Sequence, residues 1–225
     1  MSLALKLREG TSQNHDQAEA AGFIRCFMKG VVEKESYAKH LESFYFVYSA
    51  MEEELEKHKS DPILSIIYFP ELYRKESIEK DLVFFYGNSW KDKIHSSKAT
   101  QEYVNHIHAS AHKKAYLLVA HSYVRYLGDL SGGQILKKIA GRAMNLGDTG
   151  GLDFYEFPKL TSPNDFKKAY REALDNLPIS ETEADEILQE SRIVFDLNQK
   201  IFHELEGDLI RNIGTEKYNS ILQAS

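Results

Sequence analysis

Tyr37, Leu41, Phe44, Tyr48, Met51 and Leu55 recur at spacings of four and three through "SYAKHLESFYFVYSAMEEELEKH". At 3.6 residues per turn these six fall on one face, so the segment is an amphipathic helix that needs a packing partner. The same period recurs elsewhere: Leu118, Val119, Ser122 and Tyr126 lead into a glycine cluster, and Ile135, Leu136 and Ile139 continue beyond it. Strand-type alternation is nearly absent. The expected class is therefore all-α, a single-domain helical bundle over residues 1–225 with a polar C-terminal tail from about 215. The chain is long enough for one sizeable core. Local signals agree. Ser162 before Pro163 reads as a cap and first helical residue, and Ser180 with Glu183 reads as a capping box. The segment "GDTGGLDFYEFPKLTSP" is the longest loop-like stretch, and Pro62, Pro70, Pro158 and Pro178 stand at other plausible boundaries.

The cluster in "YLGDLSGGQIL", residues 126–136, poses the functional question. LSGGQ alone is a transporter-ATPase signature. No Gly-x-x-x-x-Gly-Lys-Ser/Thr loop accompanies it, and no strand precedes a phosphate-binding turn, so the nucleotide reading fails on context. Each glycine inside a helix costs about 1 kcal/mol relative to alanine. Gly128, Gly132 and Gly133 are thus an expense with two readings. One is close helix packing or an ordinary break. The other is a flat ligand lying against a kinked backbone.

Charge and cysteine content narrow the partners. A net charge of −6 argues against nucleic acid as a general partner. Cys26 is the single cysteine, which excludes an internal disulfide and suits a reducing compartment. The N-terminus "MSLALKLREG" lacks secretory-signal features, and no run of 18 apolar residues exists, so no membrane anchor is expected. The expected location is the cytoplasm, and a monomer is the default.

Among the nine histidines, His108 and His112 share a helix face, but no acidic third ligand stands at useful spacing. No histidine has a glutamate three residues before it, which removes the di-iron bundle pattern. Cys-x-x-Cys-His is absent, so haem is not attached covalently in the c-type manner. On the first helix Leu7, Arg8, Thr11, His15, Ala18 and Glu19 fall on one side. His15 has two readings: a core histidine, or a metal ligand whose second ring nitrogen is oriented by Glu19. Lys167 and Arg171, four apart, are either a carboxylate clamp or a solvated basic face.

Together these pieces resemble the haem oxygenase family, most closely its soluble cyanobacterial and algal branch. "YLGDLSGGQILKKIA" is similar to that family's distal helix, "GTSQNHDQAE" to its proximal helix, and "FYFVYSAMEEEL", "YFPELYRK" and "FDLNQKIFHELE" to other segments. The likeness runs from about residue 3 to about residue 215. It implies haem b sandwiched between a proximal helix and a glycine-kinked distal helix. His15 is then the iron ligand and Glu19 its partner. Gly128, Gly132 and Gly133 admit the haem face, and Asp129 holds a water network with Tyr48, Arg125 and Asn198. Arg8, Tyr123, Lys167 and Arg171 fix the propionates, and Phe195 and Phe202 wall the pocket. Two positions depart from the pattern. Ser12 stands where many relatives carry lysine, and Val124 where many carry threonine.

The implied reaction uses haem as both cofactor and substrate. With O2 and external electrons the ring opens at the α-meso carbon, giving biliverdin IXα, carbon monoxide and ferrous iron. No flavin or nicotinamide motif is present, so the resemblance implies a separate donor: ferredoxin, or alternatively a flavoprotein reductase. An acidic donor needs a local basic patch on an acidic chain, and Lys137, Lys138 and Arg142 offer one. The same three residues also read as an exposed basic face without a partner. In an alga the location implied is the plastid stroma. Two rival readings are a haem carrier that does not degrade its ligand and a helical bundle without cofactor.

Overall fold

The computed structural model describes residues 1–147 and 149–223. Among them every regular element is helical: α1 Leu3–Gly10, α2 Ser12–Ala20, α3 Gly22–Met28, α4 Lys34–Lys57, α5 Lys75–Tyr86, α6 Lys98–Lys113, α7 Leu118–Ala143, α8 Pro163–Asp175, α9 Glu181–Ile213 and α10 Thr215–Gln223.

Helix α4 is the central member. Tyr37, Leu41, Phe44, Tyr48, Met51 and Leu55 are all buried along its stripe, and it packs against α5, α6, α7 and α9. Burying side chains of this size stabilises the fold by about 1.5–3 kcal/mol each before entropy is counted. The 33-residue α9 is the second spine and carries α1, α2, α3, α6 and α7 on its flanks. Its start is fixed as the capping box requires: Ser180 Oγ accepts from Glu183 N–H at 3.2 Å, and Glu183 accepts from Ser180 N–H at 2.7 Å. Ser162 likewise caps α8 by accepting from Asp165 N–H, with Pro163 at the first helical position. Thr215–Gln223 form α10, whose Tyr218 is buried against α3 and α9. Of the loop-like stretch 147–163, residue 148 lies outside the described residues, and Asp153–Tyr155 make one 3-10 turn.

The first helix of the sequence reading is two helices. Thr11, at φ −111° and ψ 4°, leaves the helical region and ends α1. Its hydroxyl donates to the Leu7 carbonyl at 2.7 Å, and Arg192 Nε donates to the Gly10 carbonyl at 2.9 Å. These bonds satisfy carbonyls that a helix end leaves without partners. Leu7 consequently turns fully into the core instead of sharing an open face with His15.

The glycine cluster does not end its helix. Helix α7 is continuous from Leu118 to Ala143, and Gly128, Gly132 and Gly133 all keep negative φ. The ordinary-break reading is therefore excluded.

Candidate haem pocket

Seven helices and one 3-10 turn contribute to the wall of a cavity of about 470 Å³, within the usual range for small-molecule sites. α2 contributes Ser12, His15, Ala18 and Glu19, and α7 contributes Gly128, Asp129, Gly132 and Gly133. α9 adds Phe195, Asn198 and Phe202, α4 adds His40 and Phe44, and the 3-10 turn adds Phe154 and Tyr155.

The glycines explain how the cavity stays open. A Cβ built on Gly128 or Gly132 meets no atom within 4 Å, so both face open space and not a neighbouring helix. The close-packing reading fits only Gly133, whose Cβ would lie 3.2 Å from the Tyr155 ring. A bare backbone surface of this kind admits a flat ligand closely.

Behind that surface lies a buried polar network. Arg125 is fully engaged: Nε donates to Tyr48 Oη at 3.0 Å, Nη1 to Asn198 Oδ1 at 2.9 Å, and Nη2 to Asp129 Oδ1 at 3.4 Å. Tyr48 donates to Asp129 Oδ2. The Arg125 guanidinium also stacks 4.2 Å from the Phe44 ring centre. Burial pushes the Asp129 carboxyl up, while Arg125 and the Tyr48 hydrogen bond pull it back down. Burial likewise raises the Tyr48 phenol well above its ordinary range, so it stays a donor. Tyr48 is not on the cavity wall; it acts from behind Asp129.

The opposite chemistry lines the α2 side. His15 keeps 58% of its side chain exposed and Glu19 69%, with Nδ1 to Oε1 at 3.8 Å. That is an ion-pair distance and exceeds a hydrogen bond. Phe195 stands edge-on to the His15 ring at 6.2 Å. Arg8, Tyr123 and Arg171 also reach the cavity wall. Lys167, one turn before Arg171 on α8, is half-buried and does not. Ser12 and Val124, the two departures from the family pattern, both line the cavity.

These residues fit a haem. One histidine stands on a wall separate from the glycine surface, aromatic and aliphatic side chains line the interior, and two arginines offer charge for carboxylates. A family model described as "Heme oxygenase" matches residues 1–204. The chain belongs to the haem oxygenase family. It is 54% identical to heme oxygenase 1 of Synechocystis sp. over 98% of this chain and 92% of that one. It is 50% identical to heme oxygenase of Guillardia theta, over 93% of this chain and 89% of the relative. Among solved structures, heme oxygenase-1 from Synechocystis in complex with heme superposes with a TM-score of 0.93 at 54% identity, covering 98% of this chain and all of the other. Heme oxygenase from Leptospira interrogans gives a TM-score of 0.88 at 57% identity, over 91% of this chain and all of that one.

Several lining residues escape sequence reading. His40 is buried on the α4 stripe, packed 4.0 Å from the Phe44 ring centre and facing Phe23 and Phe202. Burial, with Arg125 nearby, pushes it down to about 3. Its signal was present, since it lies four residues before Phe44. Phe154 and Tyr155 come from a loop with no periodicity, and only the density of aromatics in "LDFYEF" marks it. The His108–His112 pair is not a metal pair, because His108 Nδ1 instead lies 2.7 Å from Glu54 Oε1. Of the basic patch, Lys137 is paired with Glu156, while Lys138 and Arg142 are exposed.

Proposed function

We propose that this haem oxygenase binds haem b between α2 and α7 and cleaves it at the α-meso carbon to biliverdin IXα. The observation that carries the reading is the pairing of an accessible histidine with a bare glycine surface that has a buried carboxylate behind it. Bound haem, reduced by an external donor, supplies O2 activation, and its own ring is the substrate, leaving as biliverdin with carbon monoxide and ferrous iron. Everything else falls to the side chains.

His15 would hold the iron through one imidazole nitrogen, with Glu19 close enough to bias the ring through the other nitrogen. A neutral histidine lacks the electron push of a thiolate, which favours early O–O cleavage. Gly128 and Gly132 crowd the distal face with backbone alone. Asp129 is held at both oxygens, and Oδ1, on the longer bond to Arg125, is the atom able to hold a proton or order water. Arg8 and Arg171 would hold the haem carboxylates by charge pairing, with Lys167 adding positive charge one turn away on α8. Tyr123 braces that edge, and Phe195 and Phe202 exclude water.

Ferredoxin is the proposed donor, docking at Lys138 and Arg142, with a flavoprotein reductase as the alternative. No helix of the described residues is long and apolar enough to cross a membrane. We place the protein in the cytoplasm, or the plastid stroma of an alga, as a monomer acting as one unit over residues 1–225.

Haem, ferredoxin with its reductase system, and O2 test the reading. Loss of the Soret band with appearance of a bilin supports it. Asp129→Ala should still bind haem but fail to open the ring efficiently. A wild-type haem spectrum that persists through reduction and oxygenation would favour a carrier instead.

A further inference from the structure

A second cluster of ligating side chains lies away from the haem pocket, where α6, α7 and α9 meet. His106 of α6, His121 of α7 and Glu190 of α9 bring Nε2, Nε2 and a carboxylate oxygen within 4.8 Å of one another. Glu190 Oε1 is the shared point: His106 Nε2 lies 2.7 Å away, His121 Nε2 3.1 Å, and Ser110 Oγ 2.7 Å. Ser110 Oγ is also 3.3 Å from His106 Nε2. None of these residues lines the haem cavity.

We infer that His106, His121 and Glu190 form a binding site for a divalent first-row transition metal ion, with Ser110 beside it. Two imidazoles and one carboxylate on three separate helices are the donor set such ions take. Ligand bonds of about 2.0–2.2 Å put tetrahedral ligand atoms about 3.3–3.5 Å apart, so relative to Glu190 Oε1 the His106 nitrogen retreats by about 0.6–0.8 Å and the His121 nitrogen by about 0.2–0.4 Å. His121 itself is fully buried where α7 meets α6 and α9. Its Nδ1 is buried without a hydrogen-bond partner, so no acceptor there locks the tautomer, and the Nε2 proton can move to Nδ1 when the metal arrives.

The site also has an entrance. A shallow groove lined by Glu102, Asn105, His106, Asp196 and Lys200 opens onto His106, whose side chain is 29% exposed. Two carboxylates at its mouth draw cations, although Lys200 is paired with Glu102. The bound ion would tie three helices together. His121 lies one turn before Arg125 on α7, and Glu190 lies two turns before Asn198 on α9, so the tie braces the far side of the distal network. This inference does not rest on the haem reaction.

The test uses the full chain without haem and Co2+ as the probe, followed by its visible absorption and by equilibrium dialysis, with Zn2+ used to read thermal stability. Wild type should take up one equivalent of cobalt with a four- or five-coordinate spectrum, and Zn2+ should raise the thermal midpoint. His15→Ala should do the same, which separates this site from His15 and Glu19. His106→Ala, a half-exposed position whose fold is checked by circular dichroism, should lose both the spectrum and the thermal shift. Wild type that takes up no cobalt, or a His106→Ala variant that binds it as wild type does, would show a hydrogen-bonded cluster only and overturn the proposal.

Discussion

The two walls of the haem pocket are built by opposite means. On the α7 side, Arg125, Asp129, Tyr48 and Asn198 are buried, and each is already bonded within the protein. On the α2 side, His15 and Glu19 are mostly exposed, and α2 buries none of its own residues. The distal wall is finished by folding, whereas the proximal wall keeps its strongest ligand available. A network that must order protons gains from fixed geometry in a low dielectric. A ligand that must admit and release a large flat molecule gains from being accessible. The two walls should therefore respond differently to substitution.

The largest effect belongs to the distal wall. Arg125→Ala leaves Asp129 as a buried carboxylate without its cation, and should cost about 3–5 kcal/mol in haem-free stability by denaturant unfolding. A cost below about 1 kcal/mol would mean that the network is not pre-formed.

His40 gives the next effect, read through pH. Its folded value near 3 lies below the ordinary histidine value, so the folded state binds fewer protons than the unfolded one between them. The stability it allows is complete above about 6.5 and is lost as pH falls through the window toward 3. His40→Phe removes that dependence, and its stability profile should be shallower over this acid limb than that of wild type. Equal slopes would show that His40 does not stay neutral in the fold.

Gly132→Ala separates folding from binding. The added Cβ meets nothing in the protein, so helix propensity should raise haem-free stability by about 1 kcal/mol. The same methyl projects into the cavity and should weaken haem binding in a spectral titration. Gly133→Ala meets the Tyr155 ring instead and should lack that stability gain.

The smallest change in stability is expected at the proximal wall. His15→Ala should shift haem-free stability by less than about 0.5 kcal/mol, as for other exposed positions. Its haem complex should lose the histidine-type spectrum, and added imidazole should restore part of it. A large loss of stability would make His15 a structural residue and erase the contrast between the walls.

The helices themselves were legible because their information is local. The α4 stripe, the Ser162 and Ser180 caps and the apolar period on either side of the glycines depend on residues three or four apart. His15 and the glycines could be singled out as unusual for the same reason, whereas Asp129 and the propionate role of Arg8 came only with the family resemblance. Their assembly into one haem site came from family resemblance, because spacing alone left each with an ordinary alternative. Only tertiary structure divided the first helix at Thr11, sent Leu7 into the core and kept Lys167 off the cavity wall. It also decided which glycines face open space: Gly132 and Gly133 are adjacent in sequence, yet one meets nothing and the other meets Tyr155. The cluster of His106, His121 and Glu190 spans 84 residues of chain and has no periodicity to betray it. Sequence carries the period of each helix, but not the rotation and depth at which one helix meets another, and those are set by how all the side chains fill the shared core.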